Sequence, residues 1–160
     1  MLKITVISVG KLKEKHFLLA AGEYLKRLKR YASVAEIEVK DEPAPESLSE
    51  SQKNAVLETE GRRIREKIPK GAYVAALCVE GKELSSEEFA GLLSKAALSG
   101  KSSLVFIIGG SLGLCEGIKR EADIALSFSK MTFPHMLMKV ILLEQIYRGF
   151  TIIEGKTYHK

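Results

Sequence analysis

Four stretches of the chain carry residue types that could do chemistry. The first, Gly109-Gly110-Ser111-Leu112-Gly113, follows directly on an apolar run at 104–108. Glycines there let backbone approach a ligand closely, and the carboxyl end of a strand is where open α/β sheets bind ligands. A nucleotide-like cofactor suits that place, and so does an ordinary tight turn; the spacing is not the dinucleotide fingerprint. The second, residues 126–135 (Leu-Ser-Phe-Ser-Lys-Met-Thr-Phe-Pro-His), passes from a strand end through a polar loop into a proline-started helix. Backbone amides at that helix start could meet a ligand, while Ser127, Ser129 and Thr132 could equally be caps. His135 by itself is as readily a structural histidine.

The third stretch is the helical pattern at 134–150. Placed at about 100° per residue, Met136, Leu137, Met138, Val140, Ile141, Leu142, Leu143, Ile146 and Tyr147 cover nearly its whole circumference. A helix that is apolar all round is covered on all sides, so a second subunit is expected against it, giving a homodimer. Glu144 and Arg148 form an i, i+4 pair, roughly opposite His135 and Lys139. Charged groups on such a helix need partners or mark a site, and the spacing alone fits either. The fourth stretch is the end of the chain. Tyr158, His159 and Lys160 place stacking, proton transfer and phosphate contact in adjacent positions, although chain ends are often disordered.

The elements that must position these residues alternate along the chain. Strands are expected at 4–9, 35–39, 73–79, 104–108 and 123–128, and helices at about 14–31, 50–67, 85–98 and 134–150. Pro43 and Pro45 mark a loop, and Gly81-Lys82 reads as a turn. Ser85-Ser86-Glu87-Glu88 is a Ser-x-x-Glu capping box that opens the third helix. Strands separated by helices argue for an α/β fold with a mostly parallel sheet flanked by helices, and 160 residues suit one domain, 1–160.

Composition narrows the function classes. With 46% hydrophobic and 28% charged residues, the chain has the balance of a soluble globular protein. The start of the chain does not read as a signal peptide and no apolar run is long enough to cross a bilayer, so a cytoplasmic protein with no membrane partner is expected. Cys78 and Cys115 show neither metal-ligand spacing nor a disulfide framework, so both read as free thiols and no metal site is expected. A net charge of +5 leans toward a polyanionic partner, with basic groups at Lys11, Lys13, Lys15 and at Lys26, Arg27, Lys29, Arg30; the latter also suit the solvated face of a helix.

Taken together, residues 106–113 and 126–135, Glu144-Gln-Ile-Tyr-Arg148 and Tyr158-His159-Lys160 closely resemble the RlmH family. These are small SPOUT-superfamily methyltransferases that methylate N3 of a pseudouridine in large-subunit ribosomal RNA. The resemblance takes in Lys3 to Lys15 with its Val9 to Lys15 motif, Glu80-Gly81-Lys82 and Ser85-Ser86, and spans essentially the whole chain. It implies a deep C-terminal trefoil knot, S-adenosylmethionine held by the knot loops, and a homodimer with active sites at the interface. Carried over by motif, Leu77, Gly109, Phe128, Ser129, Lys130, Met131, Thr132 and Phe133 contact the cofactor, largely through backbone. His135, Glu144, Arg148, Tyr158 and His159 surround the substrate. Met136 and Lys139 stand where the family commonly has glutamine and arginine.

On that resemblance the target is ribosomal RNA, read by the shape of an assembled ribosome, with no DNA partner. His159 is the expected general base, Tyr158 packs on or orients the nucleobase, Arg148 stabilises charge developing on its oxygen, and Lys160 meets phosphate. The rival readings are a non-catalytic RNA-binding module and a methyltransferase acting on tRNA.

Overall fold

Near-continuous runs of β-branched and aliphatic residues become the strands of one sheet. The structure, a computed structural model, describes residues 1–11 and 13–160. Leu12, inside the Val9 to Lys15 motif, lies outside the described residues. In chain order the elements are β1 (Leu2–Val9), α1 (Lys15–Leu28), β2 (Ala32–Val39), α2 (Glu50–Arg65), β3 (Tyr73–Glu83), α3 (Ser86–Leu98), β4 (Leu104–Ile108), α4 (Glu116–Glu121), β5 (Ile124–Ser127) and α5 (His135–Ile153). The strands pair in the order β2-β1-β4-β3-β5, and every pairing is parallel. The expected α/β fold with a parallel sheet is what the chain adopts.

Strand β4 explains why its sequence is apolar at every position. Side chains alternate across a strand, so Leu104, Phe106 and Ile108 enter one core while Val105 and Ile107 enter the other. The first core is closed by α1, α3 and α5 through Ala21, Leu28, Phe89, Leu93, Leu142, Leu143 and Ile146. The second is closed by α2 and α4 through Ile64 and Ile118. A central parallel strand covered on both faces has no position left for a polar side chain.

Helix α3 opens as its sequence predicts. Ser85 Oγ accepts from the Glu88 amide at 3.1 Å, and the Glu88 carboxylate accepts from the Ser85 amide at 2.7 Å. Such a reciprocal cap satisfies two amides that the helix itself leaves unpaired. A second capping box, Ser49 with Gln52, opens α2. Pro134 stands just outside α5, with φ −54° and ψ 134°, rather than in its first turn, and α5 continues to Ile153.

Two expectations are corrected. Gly81-Lys82 is not a turn: β3 runs on to Glu83 and, after an irregularity between Leu77 and Lys82, pairs again with Leu126 and Ser127. Gly81 is needed because backbone passes backbone there; a Cβ on it would lie 2.7 Å from the Ala125 carbonyl. Between the glycine loop and β5 the chain also forms α4, six residues that are too few to show a helical period.

No helix among the described residues is long and apolar enough to cross a membrane. Both cysteines are free, Cys115 buried and Cys78 half-buried.

Candidate active site

The carboxyl ends of β3, β4 and β5 open into one cleft of about 690 Å³. Its walls come from three segments. The first is the glycine loop after β4, where Gly110 and Gly113 bridge and the Gly113 amide donates to the Gly110 carbonyl at 3.1 Å. Gly113 has φ +83°, and a Cβ on Gly109 would lie 2.4 Å from the Gly113 carbonyl oxygen. Any larger residue at 109 would collide with backbone. The second segment is the loop after β5. It is braced by Ser127 Oγ, which donates to the Ser129 carbonyl at 2.9 Å, and by the Met131 amide, which donates to Ser129 Oγ at 3.0 Å. The third is β3 from Leu77 to Glu80.

Of the positions expected to contact a cofactor, Leu77, Gly109, Phe128, Ser129, Met131, Thr132 and Phe133 line this cleft. Lys130 does not; its side chain is exposed. His135 and Met138, on the first turn of α5, complete the wall. His135 also abuts the end of β1, where a Cβ on Gly10 would lie 3.6 Å from its Nε2.

Sequence reasoning missed three polar lining residues, Cys78, Glu80 and Lys119. Burial, reinforced by Glu80, pushes the Cys78 thiol above its ordinary pKa, so it is not a poised thiolate. Lys119 donates to Glu80 and, at 3.1 Å, to Glu116. Burial works against the Lys119 ammonium, yet the hydrogen bonds to Glu80 and Glu116 outweigh it and raise its pKa. The same bond from Lys119 holds Glu80 below the usual carboxylate range. Glu80 entered the sequence reading only within the Glu80-Gly81-Lys82 segment of the resemblance, with no role given to it, and Lys119 did not enter at all, because α4 itself was not legible.

The other expected catalytic residues assemble elsewhere. Arg148 donates to Glu144 Oε1 through Nη2 at 2.5 Å and through Nε at 2.9 Å. Tyr158 donates to the same oxygen at 3.1 Å, while its ring lies under the Arg148 guanidinium at 4.8 Å and edge-on to Tyr147 at 4.8 Å. Burial and the Glu144 carboxylate push the Tyr158 phenol up to about 12, so it remains a hydrogen-bond donor at neutral pH. His159 closes the cluster between Arg148 Nη1, 3.2 Å from its Nδ1, and Glu87 Oε1, 2.7 Å from its Nε2. A guanidinium can only donate, so Nδ1 accepts and the ring proton sits on Nε2, facing Glu87. Lys160 is exposed.

The expected catalytic set is therefore divided along α5. His135 stands at the cleft, and Glu144 and Arg148 lie nine and thirteen residues further on, about 14 Å and 20 Å along the helix axis.

Comparison with known proteins gives a consistent result. The family model described as "Predicted SPOUT methyltransferase" matches residues 2–159. A protein of Alkaliphilus oremlandii named "Ribosomal RNA large subunit methyltransferase H" is 55% identical over 159 residues, 99% of this chain and 100% of that protein. Proteins of the same name from Carboxydothermus hydrogenoformans and Listeria monocytogenes are 54% and 50% identical over the same shares of both chains.

Proposed function

Because the chain belongs to the RlmH family of SPOUT methyltransferases, we propose that it methylates N3 of a pseudouridine in large-subunit ribosomal RNA, on assembled ribosomes, using S-adenosylmethionine. The observation that carries the reading is the cleft at the ends of β3, β4 and β5. Its volume is in the range of small-molecule sites. Leu77, Leu126, Phe128 and Met138 offer an apolar wall for an adenine, the glycine loop exposes backbone for close approach, and Glu80 with Lys119 supplies charge at the edge. The residues present thus fit this cofactor. The C-terminal knot belongs to the same reading, as do a cytoplasmic location and one domain spanning the chain.

When bound, the cofactor supplies an electrophilic sulfonium methyl. The protein must then hold the target nitrogen in line and take up a weakly acidic imide proton. His159 is oriented to accept that proton: with Nε2–H anchored on Glu87, its lone pair is on Nδ1, covered by Arg148. Arg148 then moves from Nδ1 to a carbonyl oxygen flanking N3 of the pseudouridine, stabilising the charge that develops there and uncovering the base. Glu87 then stabilises the imidazolium, as a carboxylate does behind other catalytic histidines. Tyr158 packs against the nucleobase and Lys160 meets phosphate.

The separation of this cluster from the cleft fits a homodimer. Met136, Leu137, Val140 and Ile141 on α5 are only half-buried in one chain. A second copy packed on that face would set the tail of one protomer at the cleft of the other. Removing Tyr158 to Lys160 should leave the calorimetric affinity for S-adenosylmethionine unchanged and abolish methyl transfer to ribosomes. Transfer that survives the truncation would overturn the assignment of the tail, and a wild-type protein showing no saturable heat would favour a non-catalytic RNA-binding module.

A further inference from the structure

Among the described residues, Glu80 and Lys119 are the only acidic residue and the only lysine or arginine lining the cleft. They come from different elements, β3 beyond its first pairing with β5 and the short helix after the glycine loop. The Lys119 side chain is mostly buried, 16% exposed, and its ammonium spans Glu80 Oε1 and Glu116 Oε1. Only one oxygen of Glu80 is occupied in this way. The carboxylate also accepts from the Glu80 backbone amide, Oε2 takes no hydrogen bond from another described residue, and the Glu80 side chain remains 61% exposed at the cleft edge.

We propose that Glu80 is the acceptor for the ribose hydroxyls of the cofactor, and that Lys119 is the positioning residue that fixes it. The inference rests on the S-adenosylmethionine reading above. An adenine and a thioether chain can be met by the apolar wall and the glycine backbone, but a vicinal diol needs an acceptor aimed at it. A carboxylate accepts strongly from hydroxyls, and an acidic residue beyond a strand end serves the ribose in dinucleotide-binding α/β folds. Glu80 has one oxygen held by Lys119, an ammonium that it shares with Glu116. The remaining oxygen at the cleft edge is placed to accept from a neutral pair of donors, and probes without the ammonium and the sulfonium separate that role from pairing with the charged groups of the cofactor. Lys119, anchored also by Glu116, holds the carboxylate in one orientation before the ligand arrives.

Calorimetry with 5′-methylthioadenosine and its 2′,3′-dideoxy analogue separates the possibilities, because neither probe carries the amino-acid end or the sulfonium charge. The wild-type protein should bind the dideoxy analogue roughly tenfold or more weakly. Glu80→Ala, checked for an unchanged near-ultraviolet dichroism spectrum, should bind both probes alike, at about the affinity the wild type has for the dideoxy analogue. Lys119→Met should lose part of the same discrimination and add nothing in the Glu80→Ala background, the signature of action through Glu80. A Glu80→Ala protein that still distinguishes the probes would overturn the proposal. So would one weakened toward S-adenosylmethionine alone, which would assign the carboxylate to the amino-acid end. A wild-type protein that binds S-adenosylmethionine but treats the two probes equally would overturn the ribose assignment while leaving the methyltransferase reading in place. Failure to bind S-adenosylmethionine at all would remove the reading beneath it.

Discussion

Lys139, in α5, is 3% exposed, and its ammonium lies 2.9 Å from Glu36 and 3.7 Å from Glu38 on the edge strand β2. A flexible point charge can serve two carboxylates two residues apart on one strand face, and a planar fork is not required for it. Lys139 thus serves an internal ion pair, a partnership that no spacing rule could have indicated between residues so far apart in the chain. Glu60 is the opposite case, a carboxylate 4% exposed behind the glycine loop whose Oε2 accepts the Glu42 amide at 2.9 Å. Burial raises its pKa above the ordinary value of 4.5. The folded protein therefore holds that proton more tightly than the unfolded chain. This stabilisation is fully present below the unfolded value and is lost as pH rises through the raised folded one. Glu60→Gln keeps the acceptor and cannot ionise. Its melting temperature should match the wild type below the unfolded value and exceed it by a margin that widens as pH rises through the raised folded one; a constant gap would show that Glu60 is not desolvated.

At the scale of elements, the β3–β5 crossing and the glycine loop set the shape of the cleft. Gly81→Ala would put a methyl group 2.7 Å from the Ala125 carbonyl carbon and oxygen. Neither neighbour is a flexible side-chain end, so β3 or β5 must shift, and urea unfolding should show a loss of roughly 1–3 kcal/mol. A neutral outcome would mean that the two strands do not approach so closely. The elements differ in how plainly the sequence announced them. Strand β4 and the capped start of α3 were legible because each rests on local chemistry: an unbroken apolar run in one case, a reciprocal side-chain cap in the other. Helix α4 was not, being less than two turns long, and the continuation of β3 through Gly81 was not, because glycine marks both turns and close crossings. For that reason Lys119 went unnoticed and Glu80 was noticed only as part of a resembling segment with no role, whereas Gly109 and the loop at 128–133 were reached as cofactor contacts through motif resemblance.

For the molecule as a whole, the decisive feature is the distance between cleft and tail. His135 shares one helix with Glu144 and Arg148, the pair that anchors Tyr158 and His159, so cleft and cluster are held about 14–20 Å apart within a chain. A dimer with shared sites predicts complementation. A protomer whose cleft is blocked by Gly109→Val has an intact tail, and a tail-truncated protomer has an intact cleft. Each should be inactive alone, while an equal mixture, refolded together, should recover about a quarter of wild-type activity from one complete site per heterodimer. No recovery would place cleft and tail function within the same chain.

The central claim is most directly tested by incubating the protein with ribosomes and S-adenosylmethionine carrying a labelled methyl group, then digesting the large-subunit RNA to nucleosides for mass spectrometry. Label should accumulate to about one methyl per large subunit, on N3 of a pseudouridine. Label found in transfer RNA, or on another atom, or an unlabelled large subunit despite saturable cofactor binding, would contradict the account.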